Sequence, residues 1–267
     1  MKERIITGLL AAILYLGFCL AGGYAYQAFL LAMALVGYYE FVTMTKAAPF
    51  GAPAVIGYIS VAYMLFPWTL MDLTPPLSVD HMIWVVMLLL LSVTVISKNR
   101  LDIKLMAMLF IGAFYVGMGF TYIADTRQAP DGHGLFWTFM LLCSIWASDI
   151  GAYFTGKTLG RNKLWPSISP NKTIEGAIGG IFFAMVAAVV FSLVSPTLLP
   201  LWNALLIGLA AAVVGQMGDL IQSAYKRIYN IKDSGKLLPG HGGILDRCDS
   251  WLMVFPFVHI LMLMPFQ

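Results

Sequence analysis

Residues 173–195 read TIEGAIGGIFFAMVAAVVFSLVS, and beyond Glu175 the stretch carries no charge as far as Ser195. A helix rises about 1.5 Å per residue, so a run of this length reaches across the roughly 30 Å hydrocarbon core of a bilayer. In lipid each backbone polar group must be satisfied within the segment, which makes the helix the expected form. Similar runs recur along the whole chain of 267 residues, of which 60% are hydrophobic and 11% charged. A soluble domain is excluded by that composition. Nine spans are expected, at roughly 5–22, 25–44, 51–71, 81–97, 103–124, 134–155, 173–195, 199–222 and 250–266. The expected fold is therefore an all-α, polytopic integral membrane protein. Residues 1–130 would hold about five spans, and 131–267 about four spans with the larger loops.

The opening MKERIITGLLAAILYLGFC has the basic start and apolar run of a signal sequence. Phe18 is too bulky for a lipoprotein cleavage site before Cys19, so an uncleaved first span is expected. Cys19, Cys143 and Cys248 have no metal-like spacing and form no disulfide framework; ordinary apolar packing accounts for them.

Charge sets the orientation. With nine spans and a cytoplasmic N-terminus, fifteen of the sixteen Lys and Arg residues fall on the cytoplasmic side, and Arg127 alone falls opposite. Cytoplasmic connections carry the basic excess, so the N-terminus is expected inside and the C-terminus outside. Attraction to anionic headgroups is reason enough for Lys98, Arg100 and Lys104. It does not explain the acids mixed with bases in the last two cytoplasmic loops.

Asp149 lies about 22 Å into the sixth span and Asp219 about 30 Å along the eighth, both close to the cytoplasmic edge. Carboxylates at such depth need a polar cavity or a partner, which marks them as functional candidates. Glu175, just after Thr173 at a helix start, is a third candidate of this kind, though the helix dipole favours an acid there and makes a structural role the first reading. Asp219, Ser223, Lys226 and Arg227 recur at steps of three or four and share a helix face. That face is either a polar stripe or a seat for a metal-bound phosphate.

The chain's ions are densest at 232–250, KDSGKLLPGHGGILDRCDS. Gly240, Gly242 and Gly243 allow positive φ and close approach of backbone to a ligand. The helix that follows offers free amides to an oxyanion, and Arg247 adds a two-pronged donor. Asp246 and Asp249 have capping-box spacing, so one of them is open to a purely local role. Hard oxygen donors in this number suit Mg²⁺, with room for a second cation. His241 has no second His or Cys nearby for zinc, so phosphate bonding suits it better.

Ser223-Ala224-Tyr225-Lys226-Arg227, then Lys232-Asp233-Ser234-Gly235, then Pro239-Gly240-His241-Gly242-Gly243-Ile244-Leu245-Asp246-Arg247-Cys248-Asp249 resembles the signature of phosphatidate cytidylyltransferases. Ser148-Asp149 and Ser169-Pro170-Asn171-Lys172-Thr173-Ile174-Glu175-Gly176 resemble two further blocks of that family. Tyr225 and Cys248 stand where the family tends to plainer apolar residues, at positions with no chemical role. The resemblance is sharp over 144–255 and rests on size and hydropathy before that.

It implies a divalent-cation-dependent enzyme joining CTP to phosphatidic acid, dimeric, in a bacterial cytoplasmic membrane, with its site on the cytoplasmic side. No nucleic acid partner is implied. The roles expected are metal binding by Asp219 and Asp246, with Asp149 and Asp249, and catalysis by Asp219, Asp246 and Lys226. Phosphate binding is expected of Ser223, Lys226, Arg227, Lys232, His241, Gly242, Gly243 and Arg247, with Lys172 meeting the lipid headgroup. A cation-coupled transporter is the main rival from another class, although its coupling acids belong near the midplane. A CDP-alcohol transferase or a lipid kinase is the other.

Overall fold

The computed structural model describes residues 2–237, Gly240 and 242–264, with the backbone only for 2–5; His241 lies outside the described residues. Two compact units divide the chain, one of residues 1–124 with 233–247 and one of 125–232 with 248–267.

The first unit is built from α1 (Lys2–Ala21), α2 (Gly23–Met44), α3 (Ala52–Met64), α4 (Val79–Ile96) and most of α5 (Ile103–Arg127). Gly22 and Gly23 both adopt positive φ, 64° and 52°, which lets α1 turn into α2 with almost no loop. Along α2 the buried side chains Tyr26, Leu30, Ala34, Tyr38 and Phe41 follow the helical period. Their polar tips are satisfied: Tyr15 and Tyr26 share a hydroxyl bond of 2.8 Å, and Tyr38 donates to the Leu109 carbonyl at 3.3 Å. Within α4 only Met82, Val86 and Leu90 are buried, leaving the rest of its apolar surface for lipid.

The expected third span, 51–71, is shorter than the sequence suggested. Helix α3 stops at Met64, and Pro67, which has no amide to continue the ladder, leads into a 3-10 turn at Thr69–Met71.

The second unit contains α6 (Gly134–Leu159), α7 (Ile174–Val194), α8 (Leu201–Ile228) and α10 (Trp251–Ile260); the single turn α9 (Leu245–Cys248) straddles the boundary in sequence. α7 lies close on α6 because its contacts are glycines. A Cβ on Gly180 would stand 3.0 Å from the Ser148 carbonyl, and one on Gly176 2.8 Å from that of Ala152. Elsewhere α7 exposes Ile178, Phe182, Val186 and Val190, as a lipid-facing helix does. α10 ends at Ile260, short of the expected limit at 266.

Among the described residues six helices, α2 and α4 to α8, are long and apolar enough to cross a membrane, and Ile6–Ala21, α3 and α10 are shorter apolar helices. The protein is an all-α membrane protein with one small addition that the sequence reading left as loop. β1 (Lys163–Trp165) and β2 (Ser169–Thr173) form an antiparallel hairpin, with Lys163 opposite Thr173 and Trp165 opposite Ser169. Its turn has Pro166 in the second position, where a fixed φ favours reversal, and Ile168 closes it by donating to Trp165 at 3.2 Å. Pro170 is tolerated because a two-stranded ribbon has free edges. Thr173 ends β2 and caps α7, its hydroxyl accepting from the Gly176 amide at 3.1 Å.

Candidate active site

Lys172, from β2, places Nζ 2.6 Å from Oδ2 of Asp219 on α8. One turn further, the Ser223 hydroxyl donates to Asp219 Oδ1 at 3.3 Å. A second tie joins the turn of the hairpin to the same helix, since Arg227 Nε donates to the Ile168 carbonyl at 3.2 Å. The shared face of α8 is thus real, and the hairpin brings a lysine to it. Glu175 secures the hairpin's base by accepting from the Arg161 amide at 3.1 Å and the Asn162 side chain at 2.8 Å.

Asp249 approaches α8 where the helix has no side chain. A Cβ on Gly218 would collide with the Asp249 carbonyl, 2.5 Å away. Ser250 fixes the approach, its hydroxyl donating to the Gly215 carbonyl at 3.0 Å. The carboxylates of Asp149, Asp219 and Asp249 lie within electrostatic reach of one another, with Lys172 and Lys226 opposing them. Burial, with Asp219 as the next cause, pushes the Asp249 carboxyl up to about 7.

With all three acids ionised they exceed the two lysines by one negative charge, an excess that a divalent cation would offset. Among the described residues no three His, Cys, Asp or Glu side chains already converge as a metal cage. Mg²⁺ does not require one, since it takes one or two carboxylates and fills its shell with water and phosphate oxygens. The donor set fits that ion.

The glycine loop belongs to the first unit and makes its own arrangement. Gly242 has φ 81°, and a Cβ there would meet the Asp246 carboxylate at 2.5 Å. Asp246 Oδ2 accepts from the Gly243 amide at 2.9 Å and the Ser234 amide at 2.7 Å. The Gly243 amide, expected to face phosphate, is therefore engaged by the loop's own aspartate. Arg247 and Lys232 are exposed, and Lys226 is half-buried.

Two features were not foreseen. Glu40, an acid in the apolar run of α2, accepts from the Ile244 amide at 2.9 Å and the Leu245 amide at 3.0 Å. The available signal was a lone carboxylate four residues before a span's end, with no base beside it in sequence. Gln222, one turn after Asp219, is fully buried with neither amide atom hydrogen-bonded among the described residues, and Ser148 Oγ, beside Asp149, is likewise unpartnered.

Apolar helices with carboxylates set against lysines at helix ends, and a glycine loop in the same chain, are the build of an integral-membrane transferase. The chain belongs to the cytidylyltransferase family, whose profile matches residues 2–264, and it is a nucleotidyltransferase. It is 42% identical over 264 residues to a phosphatidate cytidylyltransferase of Bacillus subtilis (strain 168), covering 98% of this chain and 97% of the relative. A phosphatidate cytidylyltransferase of Staphylococcus haemolyticus (strain JCSC1435) is 36% identical over 264 residues, covering 98% and 99%. One from Staphylococcus aureus (strain COL) is 35% identical over 263 residues, with the same coverage. The transporter and lipid-kinase readings give way to this match.

Proposed function

We propose that the protein catalyses CTP + phosphatidic acid → CDP-diacylglycerol + pyrophosphate, a step of phospholipid biosynthesis. The observation that carries the proposal is the Lys172–Asp219 contact within a cluster of acids and bases at the ends of apolar helices. One substrate keeps its acyl chains in lipid while the other arrives as a charged, soluble nucleotide, and a site at a helix end serves both.

The phosphatidate phosphate is a monoester whose second pKa, like that of phosphorylated side chains, is about 6. It is already dianionic at neutral pH, so no strong general base is needed. An oxygen of that phosphate attacks the α-phosphorus of CTP in line, the new P–O bond forms, and the bond to the β-phosphate oxygen breaks to release pyrophosphate. The barrier is repulsion between anions and charge gathering on the leaving group.

Lys172 neutralises the lipid phosphate, and Lys226, Arg227 and Lys232 do the same for the nucleotide. On the motif alone His241, Gly242 and Arg247 are assigned to phosphate as well, whereas the Gly243 amide is already taken by Asp246; Ser223 holds Asp219 in place. Asp219, Asp149 and Asp249 would hold Mg²⁺, with Asp246 assigned to metal on the motif as well. When bound, the ion supplies charge neutralisation at the reacting phosphates.

We also propose nine crossings, with the N-terminus and the site facing the cytoplasm of a bacterial inner membrane, and a homodimer. Lys98→Cys in a cysteine-free background should react with an impermeant thiol reagent in inside-out vesicles only, and light scattering in detergent should give twice the chain mass. The decisive experiment supplies purified protein with CTP, phosphatidic acid and Mg²⁺ and measures pyrophosphate. Release should stop without the lipid. Release that ignores the lipid overturns the reaction.

A further inference from the structure

The signature loop rests on a carboxylate that its motif does not contain. Glu40 is only 3% exposed, and no Lys or Arg pairs with it among the described residues. Its oxygens instead take three donors from the loop: the Ile244 amide at 2.9 Å, the Leu245 amide at 3.0 Å and the Ser234 hydroxyl at 3.0 Å. The fit is close on every side. Added Cβ atoms on Gly235 and Gly243 would both collide with the Glu40 carboxylate. One turn earlier on α2, Gly37 leaves the space that Leu245 fills, 3.2 Å from where a Cβ would stand.

Ser234 links this acid to the motif. Its hydroxyl lies 3.0 Å from Glu40 Oε2 and 3.0 Å from Asp246 Oδ2, and its amide donates to Asp246. The backbone at 243–245 is therefore held from both sides, by Glu40 from the helix and by Asp246 from within. Charge-assisted bonds of this kind are about twice as strong as neutral ones, and a buried donor left without its acceptor is costly.

We propose that Glu40 is the positioning residue of the glycine loop: it fixes the main chain at Ile244 and Leu245 together with the Ser234 side chain, and so sets the direction in which Asp246 and Arg247 act. It touches no substrate itself. The kinetic part of this inference rests on the reaction proposed above; the structural part does not.

The test compares wild type with Glu40→Gln, which keeps size and replaces an acceptor by a donor. By hydrogen exchange and mass spectrometry, peptides covering 242–248 should exchange at least about tenfold faster, with peptides from α7 and α8 unchanged. In turnover assays, kcat/KM for CTP should fall at least about tenfold while KM for phosphatidate stays within about twofold. If Glu40→Gln does not fold, Gly243→Ala presses on the same contact from the loop side, and the same gain in exchange is required of it. Unchanged exchange at 242–248, or equal losses toward both substrates, overturns the proposal. A wild-type protein that makes no pyrophosphate overturns the reaction instead, and the exchange comparison still decides the role of Glu40.

Discussion

Lys172 Nζ and Asp219 Oδ2, brought from a hairpin and a membrane helix, stand 2.6 Å apart. An ammonium in that position occupies ground that a bound cation or a phosphate would contest. Asp219 cannot serve a metal with both oxygens while Lys172 and Ser223 hold them. On the reaction proposed above, substrate arrival would draw Lys172 from carboxylate to phosphate.

That exchange of partners makes the two residues separable by kinetics. Asp219→Asn should abolish pyrophosphate release, by about a thousandfold or more, with the helical content unchanged. Lys172→Met should cost about tenfold to a hundredfold in kcat/KM for phosphatidate, the worth of a charged hydrogen bond. Near-normal turnover of Asp219→Asn sinks the metal assignment.

Asp249 gives the protein a pH dependence. Its carboxyl titrates near 3.8 when free and near 7 in the fold, so the folded state binds the extra proton between those values. Stability is then highest below about pH 4 from this group and declines as pH rises through 7. Mg²⁺ held by Asp249, as proposed, would compete with that proton, so its stabilisation should grow from pH 6 to pH 8. Melting curves of wild type and Asp249→Asn read both effects, and the variant should lose them.

Gly218→Ala tests how Asp249 is held. The added methyl meets the Asp249 carbonyl, a backbone atom with little freedom to yield, and the strain should cost about 1–3 kcal/mol with a matching drop in Tm. Gly17→Ala, inside α1 with open space around it, should not lower Tm.

Glu175→Gln separates hairpin support from chemistry. Among the described residues Glu175 accepts from Arg161 and Asn162 alone, so turnover should stay within about threefold of wild type. A loss as large as that of Asp219→Asn would place Glu175 in the chemistry.

The long helices were legible because a bilayer imposes one rule on apolar segments, and α4, α7 and α8 obey it without interruption. Where the sequence reading failed, a local rule competed. Pro67 ended α3 early, and Trp165-Pro166 turned what read as loop into a hairpin. The α8 face was legible from the spacing of Asp219 and Ser223. Glu40 was not, because its partners lie 194 to 205 residues further on and no local pattern points to them.

That separation also bears on biosynthesis. At about 5–20 residues per second, the ribosome takes roughly 10–40 s to pass from Glu40 to Leu245. Until the loop is made, Glu40 lacks the two amides and the hydroxyl that satisfy it in the fold, so the acid and the loop can reach their final state only together.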